Sequence, residues 1–175
     1  LTAADPAVQQ AFADAEERWE AIVTGDLPDD YALIPAYSCG GNPDVDRPLD
    51  DLLIFVTITP IDGPGGVLGQ AGPCYYHDVG GLPAIGSMFF DEEDLASLAQ
   101  SGQLEAVVLH EMGHVLGFGT HWSALGLLAD AETPEGVEAF EAMEALEERA
   151  LEAAEPGCAW MWDGLTELEQ AVLSA

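Results

Sequence analysis

The chain has 175 residues, 49% of them hydrophobic, and carries 33 acidic side chains against three arginines and no lysine, a formal net charge of −30. That length suits one domain with a substantial core, and a mean hydropathy of +0.12 argues against disorder despite the charge. Nucleic-acid binding is excluded, because Arg18, Arg47 and Arg149 make no basic patch, and adhesion to an anionic membrane surface is disfavoured for the same reason.

Ala7 to Thr24 reads as an amphipathic helix, with Val8, Ala11, Phe12, Ala15, Trp19 and Ile22/Val23 on one stripe and Gly25-Asp26-Leu27-Pro28 ending it. Tyr31 to Tyr37 is expected as a short strand, and Cys39 to Asp51, rich in Gly, Pro and Asp, as a loop. Leu52 to Thr59 is the clearest strand, a β-branched run continuous enough to be buried on both faces. Pro60 to Pro73 is glycine-rich but has no GK[ST] sequence, so it reads as a turn-and-hairpin segment and not a phosphate cradle. Ala84 to Phe90 is another expected strand. Asp91-Glu92-Glu93-Asp94 before Leu95 marks a helix start, acidic where the helix dipole favours it. Strands and helices intermix, so the expected class is α+β with a mixed sheet.

After Gly119 the character changes. Glu135 to Glu155 reads as a helix with an apolar stripe at Val137, Phe140, Met143, Leu146 and Ala150 and a solvated glutamate face. Pro156-Gly157 breaks it, and Thr166 to Leu173 is a short closing helix. Cys39, Cys74 and Cys158 show no CxxC spacing, which argues against a thiolate zinc site, and one stays unpaired if a disulfide forms. No stretch is long enough to span a bilayer, and no signal-like segment opens the chain at Leu1, as in a mature exported protein.

The chemistry is concentrated in His110-Glu111-Met112-Gly113-His114-Val115-Leu116-Gly117. Histidines four apart on a helix share a face, so both rings reach one metal ion. Glu111 between them is placed to take a proton from a metal-activated water. The flanking run Leu104 to Leu109, then Met112, Val115 and Leu116, is apolar almost all round, which makes a buried helix. Buried imidazoles and a carboxylate need something to repay their desolvation, and a divalent cation does so for all three, where ordinary hydrogen bonds serve a lone histidine. Gly117 and Gly119 then permit a sharp change of direction. Nothing resembles a G-x-S-x-G nucleophile site.

The stretch His110 to Trp122, HEMGHVLGFGTHW, resembles the active-site helix of the leishmanolysin-like zinc peptidases, a branch of the metzincins. Ile61 to Cys74 is similar to that family's glycine-rich segment, and Leu82 to Asp91 to the strand leading toward its active-site helix. The likeness covers about residues 10–128, and the C-terminal third diverges. It implies a zinc-dependent endopeptidase, with His110 and His114 as ligands and Glu111 as general base, acting on peptide or protein substrates and exported from the cell. It also implies a mixed sheet plus helices in a lobe of residues 1–117 and a small helical lobe of 118–175. Together these make one catalytic domain over residues 1–175 with zinc in the cleft between the lobes. In the general metzincin pattern a third histidine follows the glycine by three residues, where this chain has Thr120; in the leishmanolysin branch it comes from far downstream. No histidine lies beyond His121 here, so His121 is the leading third ligand. Glu132, Glu135, Glu138 and His77 are the other candidates, because a carboxylate also completes a His₂Glu site. Met161 is the candidate for a methionine turn. Metzincin substrates add as an extended strand to a sheet edge, for which Ala84–Phe90 is the candidate. The alternative reading is a zinc-binding protein without turnover, a degenerate or truncated protease whose metal is structural.

A charge of −30 on a chain this size implies self-repulsion, which salt screens. The melting temperature is expected to rise as sodium chloride contracts the Debye length from roughly 30 Å to 3 Å. Thermal denaturation across that range checks it; a flat curve would mean that local pairing already neutralises the surface.

Overall fold

A computed structural model of the chain describes residues 5–122 and 124. The chain divides into two units, Leu1–Gly117 and Phe118–Ala175, and every helix and strand among the described residues belongs to the first. The helices expected at Glu135–Glu155 and Thr166–Leu173, the break between them and the helical C-terminal lobe lie outside the described residues.

The first helix, α1 (Pro6–Ile22), starts where Asp5 accepts the Ala7 N–H and proline occupies the first turn. Its stripe buries Val8, Ala11 and Ala15, and the Phe12 ring meets Phe90 edge-on at 5.4 Å. Val23 lies beyond the helix and is exposed. Two short strands follow, β1 (Asp30–Ile34) and β2 (Val45–Leu49), paired antiparallel. The second overturns the expectation of a loop through Asp51. Only Val45 and Leu49 of Val-Asp-Arg-Pro-Leu are buried, and the charges and proline between them hide the strand. Proline is tolerated there because, among the described residues, β2 has a partner on one side only. The expected strand through Tyr37 also stops short: Tyr37 sits in a turn at φ 62°.

The main sheet is mixed, with order β3-β5-β4, where β3 (Leu53–Thr59) runs parallel and β4 (Gly69–Tyr76) antiparallel to β5 (Pro83–Asp91). The central strand is the buried one, with Ala84, Ile85, Met88 and Phe90 in the core. No residue of β3 is fully buried and Val56 is exposed, so it is an outer strand here and not one covered on both faces. Ala32, Ile34, Val45 and Leu49 form one apolar cluster with Ala84 and Ile85, joining the β1–β2 pair to the sheet. A disulfide between Cys39 and Cys74 ties the same two layers across 35 residues.

Two helices close the unit, α2 (Leu95–Ser101) and α3 (Leu104–Leu116). The α3 helix lies on β4 and β5, and α1 holds it from another side. The Trp19 indole N–H donates to the Leu109 carbonyl at 3.0 Å, and the Arg18 guanidinium meets Glu105 at 2.7 Å. The sheet admits α3 closely because β5 carries glycine at the crossing. A Cβ on Gly86 would collide with the Val115 side chain and stand 2.9 Å from the Gly72 carbonyl oxygen.

The acidic run before α2 does something other than favour its dipole. Asp91 Oδ2 accepts the N–H groups of Ile61, Asp62 and Gly63, its Oδ1 accepts that of Glu93, and Asp94 Oδ1 accepts that of Gly65. Asp94 makes no side-chain cap to the helix it precedes. These carboxylates moor the glycine-rich loop to the end of β5. The Glu93 N–H, then that of Asp62, followed by those of Gly63 and Ile61, hold the Asp91 carboxyl at about 2 against the opposing pull of burial. A lowered value means stability that is present above the ordinary carboxylate range and lost as pH falls from about 4 toward 2. Asp91→Asn is therefore expected to destabilise the chain at neutral pH, with the gap to wild type narrowing through that acid window. Denaturant titrations of both proteins from pH 7 to pH 2 check it; a gap independent of pH would assign the effect to shape and not charge.

Candidate metal centre

The metal-binding pattern lies on α3, whose thirteen residues end at Gly117 in the left-handed conformation, φ 109°. Nine of those thirteen are buried, Glu111 among them, while His110 and His114 are half-buried. The four-residue spacing brings the two rings together as expected: Nε2 of His114 stands 3.0 Å from Nε2 of His110, with the ring planes near perpendicular at 85°. Two neutral imidazoles satisfy that separation when one donates an N–H to the other. It is also close to the roughly 3.3 Å that separates two ligand atoms on tetrahedral zinc with bonds of about 2.0–2.1 Å.

Glu111 is 6% exposed, and its Oε2 has no hydrogen-bond partner among the described residues. Burial pushes its carboxyl up to about 7, because nothing there compensates the charged form. The rest of the side chain lies against Gly69 at the start of β4. Two imidazole nitrogens converging at 3.0 Å are a donor pair that one divalent cation would bridge, and imidazole nitrogen suits zinc. The residues present fit the metal.

The other candidates separate. His121 belongs to the second unit, where its ring is 7% exposed. His77 is occupied elsewhere: its Nε2 lies 2.8 Å from the Asp51 carbonyl oxygen, so it donates there, and its Nδ1 lies 3.8 Å from Asp30. That is a structural tie between the end of β4 and the segment before β3, and it removes His77 from the ligand candidates. Glu132, Glu135, Glu138 and Met161 lie outside the described residues. Among the described residues, the group of three side chains whose ligand atoms fall within 4.8 Å of one another is Asp26, Asp50 and Asp51, carboxylates with no imidazole among them.

The sheet edge also differs from the expectation. Ala84–Phe90 is in β5, which is central and paired on both sides, so its backbone is unavailable to a further strand. Among the described residues β4 has a strand on one side only, and its first residue touches Glu111. Sequence reading assigns no role to Gly69. The signal that marks it is a glycine inside a strand, where one is costly unless something approaches closely.

No curated protein matches the chain. A family model does: that of leishmanolysin, a zinc metallopeptidase family, matches residues 19–137, from the end of α1 through both strand layers and the whole of α3. That span is more than half of the sequence and includes every residue of the histidine–glutamate motif, so the chain belongs to the leishmanolysin family.

Proposed function

We propose that the chain is a zinc-dependent endopeptidase of the metzincin kind, with His110 and His114 as ligands and Glu111 as general base. The observation that carries this reading is the convergence of the two imidazole nitrogens at 3.0 Å on the same helix as a buried, unpartnered carboxylate. The third ligand is proposed as His121 on its place in the sequence. The two units are proposed to make one catalytic domain over residues 1–175.

Zinc, when bound, supplies Lewis acidity to the scissile carbonyl and to the attacking water. Glu111 then takes a proton from that water at its unpartnered Oε2 and returns it to the departing amine. In the metal-free site burial raises the proton affinity of this carboxyl, the direction that suits a group which must accept a proton and hold it for the leaving amine. The apolar bed of Val107, Val108, Met112 and Val115 holds the helix that carries the proton acceptor. The β4 edge offers backbone groups to an extended peptide beside Glu111. Cationic peptides are the favoured substrates, since a surface of net charge −30 raises their encounter rate. A disulfide between Cys39 and Cys74 supports an exported protein, because such bonds persist outside the reducing cytosol. No helix among the described residues is long and apolar enough to cross a membrane.

The test separates binding from turnover. His110→Ala and His114→Ala are expected to lose stoichiometric zinc, and His121→Ala to weaken its affinity. Glu111→Gln is expected to keep zinc while peptide cleavage falls by about 10²–10⁴-fold or more. Metal analysis and a peptide-cleavage assay on the four variants check this. Unchanged cleavage by Glu111→Gln would remove it from the reaction, and full zinc content in both α3 histidine variants would displace the site.

A further inference from the structure

We propose that Gly69 is the positioning residue for Glu111, and that its missing side chain leaves the space in which the carboxylate is held. Among the described residues nine glycines serve the backbone: Gly40, Gly41, Gly63, Gly65, Gly80, Gly81, Gly102, Gly117 and Gly119 all have positive φ. Gly69 is not one of them. It lies in β4 in regular register, opposite Phe90 of β5, with a backbone conformation open to any residue. A strand interior disfavours glycine by its entropy and its lack of a side chain to bury. The reason for glycine at this position is therefore spatial.

The nearest atoms to that space belong to one residue. A Cβ on Gly69 would stand 3.0 Å from Glu111 Cγ, 3.1 Å from Cδ and 3.1 Å from Oε1, and these are the three nearest atoms. Gly72 in the same strand has nothing within 4 Å of its would-be Cβ, so the crowding is particular to the start of β4. With Oε2 unpartnered, no hydrogen bond fixes that oxygen. The restraint on the carboxylate is steric contact with β4. The glycine thus lets the general base lie flat against the edge strand, and leaves its free oxygen to the proton it must move. A methyl group at position 69 would push the carboxylate aside by a few tenths of an ångström, where displacements of about 1 Å cost on the order of 10²-fold in rate.

The kinetic part of this proposal rests on the peptidase reading, while the contact does not, and a double-mutant cycle keeps the two apart. Gly69→Ala, Glu111→Ala and the double variant are made in the full chain, and their melting temperatures are compared. Gly69→Ala is expected to lower the melting temperature by about 2–6 °C with Glu111 present. With Glu111→Ala the shift is expected to vanish or reverse, because alanine then fits and restricts the unfolded chain. An equal loss in both backgrounds would overturn the contact as the reason for glycine. On the zinc-loaded protein, Gly69→Ala is expected to lower kcat by about twofold to tenfold, with KM and zinc content unchanged. A loss carried by KM alone, or none, would overturn the positioning role. The melting cycle needs no turnover, so it decides the contact even if the chain cleaves no peptide.

Discussion

The close approach of α3 to the sheet is the constraint on which the rest depends. Two strands yield their side chains to it: Gly86 of β5 beneath Val115, and Gly69 of β4 beside Glu111. Helix α1 presses from another direction through the Trp19 hydrogen bond to the Leu109 carbonyl. A helix seated this way has little freedom to rotate, and rotation is what would scatter His110, Glu111 and His114. Fixing the backbone of α3 is how the fold would fix the proposed chemistry, since side chains held by packing need little reorganisation.

Seating the helix has an electrostatic cost. Glu111 is removed from water with one oxygen unsatisfied, and its carboxyl rises to about 7. Elsewhere in the same unit the opposite choice is made. Asp91 is just as deeply buried, but it gathers four backbone N–H groups and stays ionised down to about 2. The contrast separates a structural carboxylate from the one proposed to move a proton. One is saturated by donors and anchors a loop, whereas the other is kept bare and has its proton affinity raised.

Local chemistry was legible in the sequence, and relations between distant segments were not. The helix through His110 and His114, its stop at Gly117 and the buried strand through Met88 follow from apolar periodicity and glycine placement within about fifteen residues. The β2 strand escaped notice because Val45 and Leu49 alone reach the core, with Asp46, Arg47 and Pro48 between them reading as loop. Strand order is a long-range property. Nothing within Ala84–Phe90 says that β3 and β4 flank it, so its central place in the sheet is not legible locally. His77 resembled a ligand until its partners, Asp51 and Asp30, came from far along the chain. Gly69 reads locally only as part of a glycine-rich turn-and-hairpin segment, because the neighbour that explains it, Glu111, lies more than forty residues away.

The proposed chemistry depends on where the metal sits. Crystals of the zinc-loaded protein, with anomalous difference maps recorded on either side of the zinc absorption edge, locate it directly. The prediction is one peak about 2.0–2.1 Å from Nε2 of both His110 and His114, with Glu111 outside the coordination sphere. A peak held by Asp26, Asp50 and Asp51, with none at the α3 imidazoles, would contradict it.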